Sequence, residues 1–396
     1  MTGRAAVKVQ PIANEWFANT TKIAGLLVST GVGMLLGISS ATLADNQLEL
    51  FYSYYTDNSG LDVTSPGFFI SKDITEESTL GFMYLYETYE KTAQGNAVDT
   101  VSGASTVVGG SSAAFEEDRD EIGTYVTHTL GDTTLGAGYY YGEEPDFESH
   151  AVVLAVDQDL FDKNLTLSGR IMFEQDEVDK LDAAATEDFP KDKDVSRLVL
   201  AATQLLSPTS LIIGGFALED QQGFLSSPTR RIVINRPLPG GGGFTKDRDI
   251  DEKHPDNRFR QVYFVRGKQY LMSRGSLDLN LSVYTDDWGV GAYSGEFRFS
   301  HYLSPQFIAR FRYRYYSQSE ADFYTDQDFF IAEEEIMSAD PRLREFESRL
   351  HGFKFTYFPR LASFNDMSVS FAFDDYGESN NGVKADIIQV WTSIPF

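Results

Sequence analysis

From about residue 47 to its end, the chain repeats one pattern: apolar and polar positions alternate with a period of two. In the segment 277–284, Leu277, Leu279, Leu281 and Val283 face one way, and Asp278, Asn280, Ser282 and Tyr284 the other. Segment 367–374 does the same with Met367, Val369, Phe371 and Phe373, and 165–174 with Leu165, Leu167, Ile171 and Phe173. Successive side chains point to opposite sides only in an extended strand, so this periodicity predicts strands, each with one apolar face. Segment 307–315 sharpens the point. Phe307, Phe311, Tyr313 and Tyr315 alternate with Arg310, Arg312 and Arg314. Three arginines on one strand face are out of place in a sandwich core, but ordinary where lipid lies on one side and a wet lumen on the other.

Sixteen such segments are predicted, at about 47–57, 67–74, 78–90, 119–130, 133–142, 150–160, 164–175, 194–206, 209–219, 258–270, 275–286, 291–303, 306–317, 344–358, 365–376 and 384–396. Fourteen strands is the nearest alternative. The links alternate in length. Short ones carry turn residues, as in Gly131-Asp132 and Ser304-Pro305, while long ones fall at 91–118, 176–193, 220–257 and 318–343, with shorter members at 58–66, 143–149, 287–290 and 377–383. An outer-membrane barrel has short periplasmic turns, long extracellular loops and an even strand number, so the fold class expected is all-β, a transmembrane antiparallel β-barrel. The last strand adds to this. Ile388, Val390, Thr392, Ile394 and terminal Phe396 alternate to the end, resembling the C-terminal signal read by the outer-membrane assembly machinery; Pro395 removes one ladder donor from it.

Residues 1–44 differ from the rest. Arg4, Lys8 and Lys22 precede an apolar run from Ile23 to Ile38, and Thr42-Leu43-Ala44 offers small residues before a cut at Asp45. This reads as an export signal, leaving 45–396 as the barrel.

Composition narrows the function. With no cysteine, the chain can form no disulfide, thiolate metal site or covalent haem link of its own. A net charge of −26 excludes a phosphate-tracking nucleic-acid binder. A mean hydropathy of −0.27 excludes a helical multispan protein but not a barrel, whose strands are only half apolar.

Several stretches resemble the Gram-negative domain-of-unknown-function family DUF3570. They are Asp286-Asp287-Trp288-Gly289, the run Arg312-Tyr313-Arg314-Tyr315-Tyr316-Ser317-Gln318-Ser319-Glu320-Ala321-Asp322-Phe323-Tyr324, and Asp256-Asn257-Arg258. Upstream, Leu211-Ile212-Ile213-Gly214-Gly215 and Ser226-Ser227-Pro228 resemble the same family. The resemblance implies an outer-membrane barrel of undetermined activity. Such barrels are often encoded beside a small lipoprotein, a thioredoxin-like protein and a flavin transferase, which makes these proteins expected partners.

The candidate lumen residues are Arg310, Arg312 and Arg314, with Glu296 and Arg298 one strand earlier and Asp278 and Asp286 before that. Closely spaced arginines on a barrel wall attract anions and set selectivity, unless neighbouring carboxylates pair with them and stiffen the wall. Asp247, Asp249 and Asp251 alternate in the manner of a calcium loop. However, Glu252 stands at the sixth position, where an EF-hand needs Gly, and Arg258 at the twelfth, where it needs Glu, so no metal site is expected there. The acidic stretches Glu116 to Glu121, Asp176 to Asp194 and Glu333 to Glu335 are expected in loops, either simply solvated or bridged by divalent ions to lipopolysaccharide phosphates. Pro239-Gly240-Gly241-Gly242-Gly243 reads as a loop tip. Tyrosines at 52, 54, 55, 84, 86, 139–141, 315 and 316 fit interfacial girdles. None of the five histidines belongs to a nucleophile motif or a local metal pair, so no enzyme activity and no cofactor are expected. Val390, Ile394 and Phe396 are the assembly-signal residues. Two functions follow as expectations: a porin-like channel for small solutes or ions, or a non-conducting sheath for an envelope redox or flavin-carrying partner. Both lie in the outer membrane of a Gram-negative cell.

Overall fold

The computed structural model describes residues 46–91, 115–180, 189–228, 231–272, 274–325, 329–331, 333–360, 367–379 and 382–396. The proposed export segment and cut site, and most of the 91–118 loop, lie outside these residues. In chain order the strands are β1 (Gln47–Asp57), β2 (Leu61–Asp73), β3 (Ser78–Lys91), β4 (Phe115–Leu130), β5 (Thr133–Glu144), β6 (Phe147–Leu160), β7 (Leu165–Val178), β8 (Lys191–Ser207) and β9 (Ser210–Gly223). They continue as β10 (Arg231–Pro237), β11 (Phe244–Asp251), β12 (Asn257–Leu271), β13 (Gly275–Asp286), β14 (Gly291–Ser304), β15 (Phe307–Gln318), β16 (Phe329–Phe330), β17 (Phe346–Tyr357), β18 (Ser368–Glu378) and β19 (Lys384–Pro395).

Sixteen of these close into one antiparallel barrel, each paired with its neighbours in sequence and β1 with β19. Closure satisfies every strand edge, which is what lets a sheet cross lipid. The period-two pattern explains the faces. Leu279, Leu281 and Val283 of β13, Phe353 and Phe355 of β17, and Val152, Leu154 and Val156 of β6 are exposed on the outside, as a lipid-facing band requires. Their alternates turn inward and are buried, among them Asp278, Asn280 and Tyr284 of β13 and Ala151 and Val153 of β6. Among the described residues, no helix is long and apolar enough to cross a membrane, and the crossing is by strands.

The four longest links fall at one end of the barrel, and three corrections apply. Strands β2 and β6 begin earlier than their periodicity marks, so the links after β1 and β5 shrink to 58–60 and 145–146. The acidic run 116–121 is the start of β4, not a loop, with Arg119 and Glu121 buried on its inner face. Extending the ladder satisfies backbone groups that a loop would leave to water, and Glu121, turned inward, meets Arg119.

The third correction concerns the loops. β10 and β11 pair as a hairpin turned at Leu238–Gly243, and β16 adds beside β10, giving a three-stranded sheet outside the barrel wall. The glycine run is indeed the hairpin tip, with φ of 100° at Gly240, 80° at Gly241 and 128° at Gly243, where a side chain would strain the backbone. This sheet knits the 224–256 segment to the 319–345 segment. Ile232, Ile234 and Met337 form its buried core.

Candidate functional site

The inner wall carries both signs of charge around its circumference, each group brought inward by strand parity. On β12 to β18 the predicted residues assemble as their spacing implies. Glu296 lies opposite Arg314, Arg298 opposite Arg312 and Ser300 opposite Arg310 across the β14–β15 ladder, while Asp278 lies opposite Arg298 across β13–β14. Arg312 Nε donates to Glu296 Oε2 at 2.8 Å, and Arg298 pairs with the other oxygen of the same carboxylate. Arg312 Nη1 also stands 3.5 Å from Asp374 Oδ2 on β18. Asp278 is bound bidentately by Arg266 of β12, and Arg310 donates to Ser300 Oγ at 3.0 Å. Arg298, Arg312, Arg314 and Glu296 are all at most 7% exposed.

Gly352 of β17 explains how Asp374 reaches Arg312. It lies opposite both residues in register, and a Cβ built there would stand 1.9 Å from Asp374 Oδ1. The missing side chain opens the lane through which the carboxylate crosses to the guanidinium.

Asp286 does not join this cluster. It sits at the far end of β13, where it pairs with Arg258, accepts Tyr284 Oη at 2.6 Å and receives the backbone N–H groups of Trp288 and Val290 at 3.1 and 2.9 Å. It therefore shapes the mouth, not the arginine ladder. Sequence spacing also missed the opposite wall. There Arg119 pairs with Glu121 and Glu144, Arg170 with Asp157 at 2.9 Å, Lys193 with Asp176 at 2.7 Å, and Arg197 and Arg260 with Glu219. Single charges on alternating strands carry no local signal; only register joins them.

At the mouth, Trp288 packs with Val290, Ala321 and Leu343 from the loops onto Tyr284, Ala292, Tyr316 and Phe346 of the inner strand ends. Its Nε1 donates to Asn257 O at 2.8 Å, and the Arg258 guanidinium lies 4.2 Å from its ring centroid. The loops thus fold inward onto this sector of the mouth. Salt bridges tie them further: Glu333 accepts from Lys253 Nζ at 2.6 Å and Arg248 Nη2 at 2.5 Å, and these cations hold its carboxyl below the usual range.

The three aspartates of the calcium-like spacing are dispersed over separate cations. Asp249 meets Lys246 at 2.6 Å, Asp251 meets Lys180 at 2.8 Å, and Asp247 lies 3.8 Å from Arg236. The tyrosines divide: Tyr52 and Tyr139 are exposed on the outer face, but Tyr55, Tyr140 and Tyr316 turn inward and are buried, a correction to the girdle assignment. Parity sends every second residue inside, whatever its type. In the last strand, Val390 is exposed, Ile394 pairs with Leu48 across the closing seam, and Phe396 N donates to Asn46 O at 3.0 Å.

Comparison with solved structures agrees on the barrel. The chain is similar to a bacterial polysaccharide outer membrane secretin, with a TM-score of 0.50 and 8% identity, over 89% of this chain and 99% of that one. It is also similar to outer membrane protein OpdK of Pseudomonas aeruginosa (TM-score 0.43, 9% identity, 89% and 98% coverage) and to OccAB1 of Acinetobacter baumannii (0.44, 10%, 89% and 95%). No curated protein matches the sequence. At these identities the likeness concerns the fold alone, and that fold is a closed sixteen-stranded antiparallel β-barrel of the outer-membrane type. Within that class, the chain belongs to the family described as protein of unknown function DUF3570, which matches residues 39–393.

Proposed function

We propose that this barrel is an outer-membrane channel for small charged solutes or ions. One observation carries the reading: charged side chains, of both signs over the set, project inward from β3 to β9, β12 to β15 and β18, while the outer face is apolar. Fixed charges of both signs give a transverse field that orients and selects permeating ions. Placed so, residues 1–44 direct export and are removed, the assembly machinery reads the strand ending at Phe396, and the outer face contacts lipid and lipopolysaccharide.

Purified protein in a planar lipid bilayer tests this. Discrete, stable conductance steps are the expected result. A second reading draws support from the burial and pairing of the same charges and from the loops folded onto the mouth: a closed sheath that holds an envelope redox partner. Under it, no steps appear, and a small lipoprotein, thioredoxin-like or flavin-carrying protein co-purifies with the barrel.

A further inference from the structure

Beneath the loop sheet, Glu252 and His254 of the segment before β12 meet Asp340, 86 positions from His254, at the start of the short 3-10 turn Pro341–Leu343 before β17. One ligand atom from each lies within 4.8 Å of the others. All three side chains are at most 2% exposed. The neighbouring hydrogen bonds fix how the imidazole is protonated. Its Nδ1 is 2.9 Å from the carbonyl oxygen of Leu225, which can only accept, so Nδ1 carries a proton. A neutral ring then presents an unprotonated Nε2 to the interior.

Ser338 Oγ lies 2.7 Å from Glu252 Oε1 and 3.0 Å from His254 Nε2, while the backbone N–H of Asp340 already donates to it at 3.1 Å. One hydroxyl proton faces two acceptors. In addition, Nε2 stands 3.4 Å from Glu252 Oε2. A cation placed among these oxygens and Nε2 would be held by lone pairs from both loops.

We propose that Glu252, His254 and Asp340 bind a divalent transition-metal ion of the zinc type, which joins the β9–β12 loop to the β15–β17 loop and holds the cap onto the mouth. The Nε2–Oε2 separation matches the edge of a tetrahedron with bonds of about 2.1 Å, roughly 3.4 Å, as zinc makes with imidazole and carboxylate. The surroundings follow the pattern of supported ligands. The imidazole donates its other N–H to a backbone carbonyl, Ala339 N donates to Glu252 at 3.0 Å, and Arg342 Nε and Nη2 hold Asp340 at 2.8 and 2.7 Å. Ser338 Oγ is available as a fourth ligand. Sequence spacing hides the site, because a Glu-x-His pair is common and its third member comes from another loop.

Trp288 provides the readout, its ring 5.2 Å from that of His254. With Trp391 replaced by Phe, Trp288 is the one tryptophan left in residues 45–396, and the EDTA-treated protein in detergent is titrated with Co²⁺, which quenches a nearby indole. Saturable quenching at one equivalent, reversed by Zn²⁺ and lost in His254→Gln, is the expected result. Folding of each variant is checked by the heat-dependent gel shift of intact barrels; if His254→Gln does not fold, Glu252→Gln carries the comparison. Absence of saturable quenching in the folded protein, or quenching unchanged in the folded variant, overturns the proposal.

Discussion

Asp146, in the two-residue link between β5 and β6, is 1% exposed, and neither carboxylate oxygen has a hydrogen-bond partner. Burial, reinforced by Glu117 and Asp179, pushes its carboxyl up to about 7. The folded-state value lies above the unfolded one, so the protonated acid favours the fold. That contribution is complete below the unfolded value near 4 and is lost as pH rises through about 7. Asp146→Asn is therefore expected to resist protease increasingly better than wild type from pH 4 to 7, by roughly 1.4 kcal/mol per unit, with no further gain above pH 8. Protection independent of pH would contradict it. Arg312 gives the second prediction at this scale. Arg312→Ala leaves Glu296 and Asp374 buried with less compensation, which costs about 3–5 kcal/mol in unfolding titrations. In bilayers it moves the reversal potential towards cation selectivity; an unchanged potential retires the wall's role in selection.

At the scale of the strand, Gly352 tests whether the β17 lane matters. Gly352→Ala puts a Cβ against Asp374, so it should destabilise the barrel by about 1–3 kcal/mol. Adding Asp374→Ala should remove most of that cost, and additive effects in the double variant would show that the two side chains do not compete. Strands also show what was legible beforehand. Period-two alternation gave the arginine face of β15 and its pairing with Glu296 and Arg298, because register in a hairpin follows from turn length. The same signal stopped short at β4, where charges occupy both faces near its start and the apolar contrast vanishes. β10, β11 and β16 were illegible for another reason: β16 is two residues long and adds to a strand almost 100 positions away, so no local pattern specifies it. Arg197 of β8 and Arg260 of β12 both reach Glu219 of β9, and the second of these pairings was hidden because a long loop, not a short turn, joins β9 to β12.

For the whole molecule, closure turns a weak repeated pattern into a cylinder with an apolar exterior and a charged interior. For the proposed channel, the loop sheet is expected to set how far that interior is open. Removing the β10–β11 hairpin, residues 231–251, behind a short Gly-Ser link takes away the core of Ile232 and Ile234 under which Met337 is buried. Larger conductance steps and faster cleavage of the 319–345 segment are expected, while the barrel itself stays folded. Equal steps would mean that the cap lies clear of the path. The central claim, that solutes cross through this lumen, rests on conductance. Single-channel recording of the purified wild-type protein in a planar bilayer should give stable, discrete steps whose reversal potential under a salt gradient departs from zero. A folded barrel that inserts yet passes no current would contradict it.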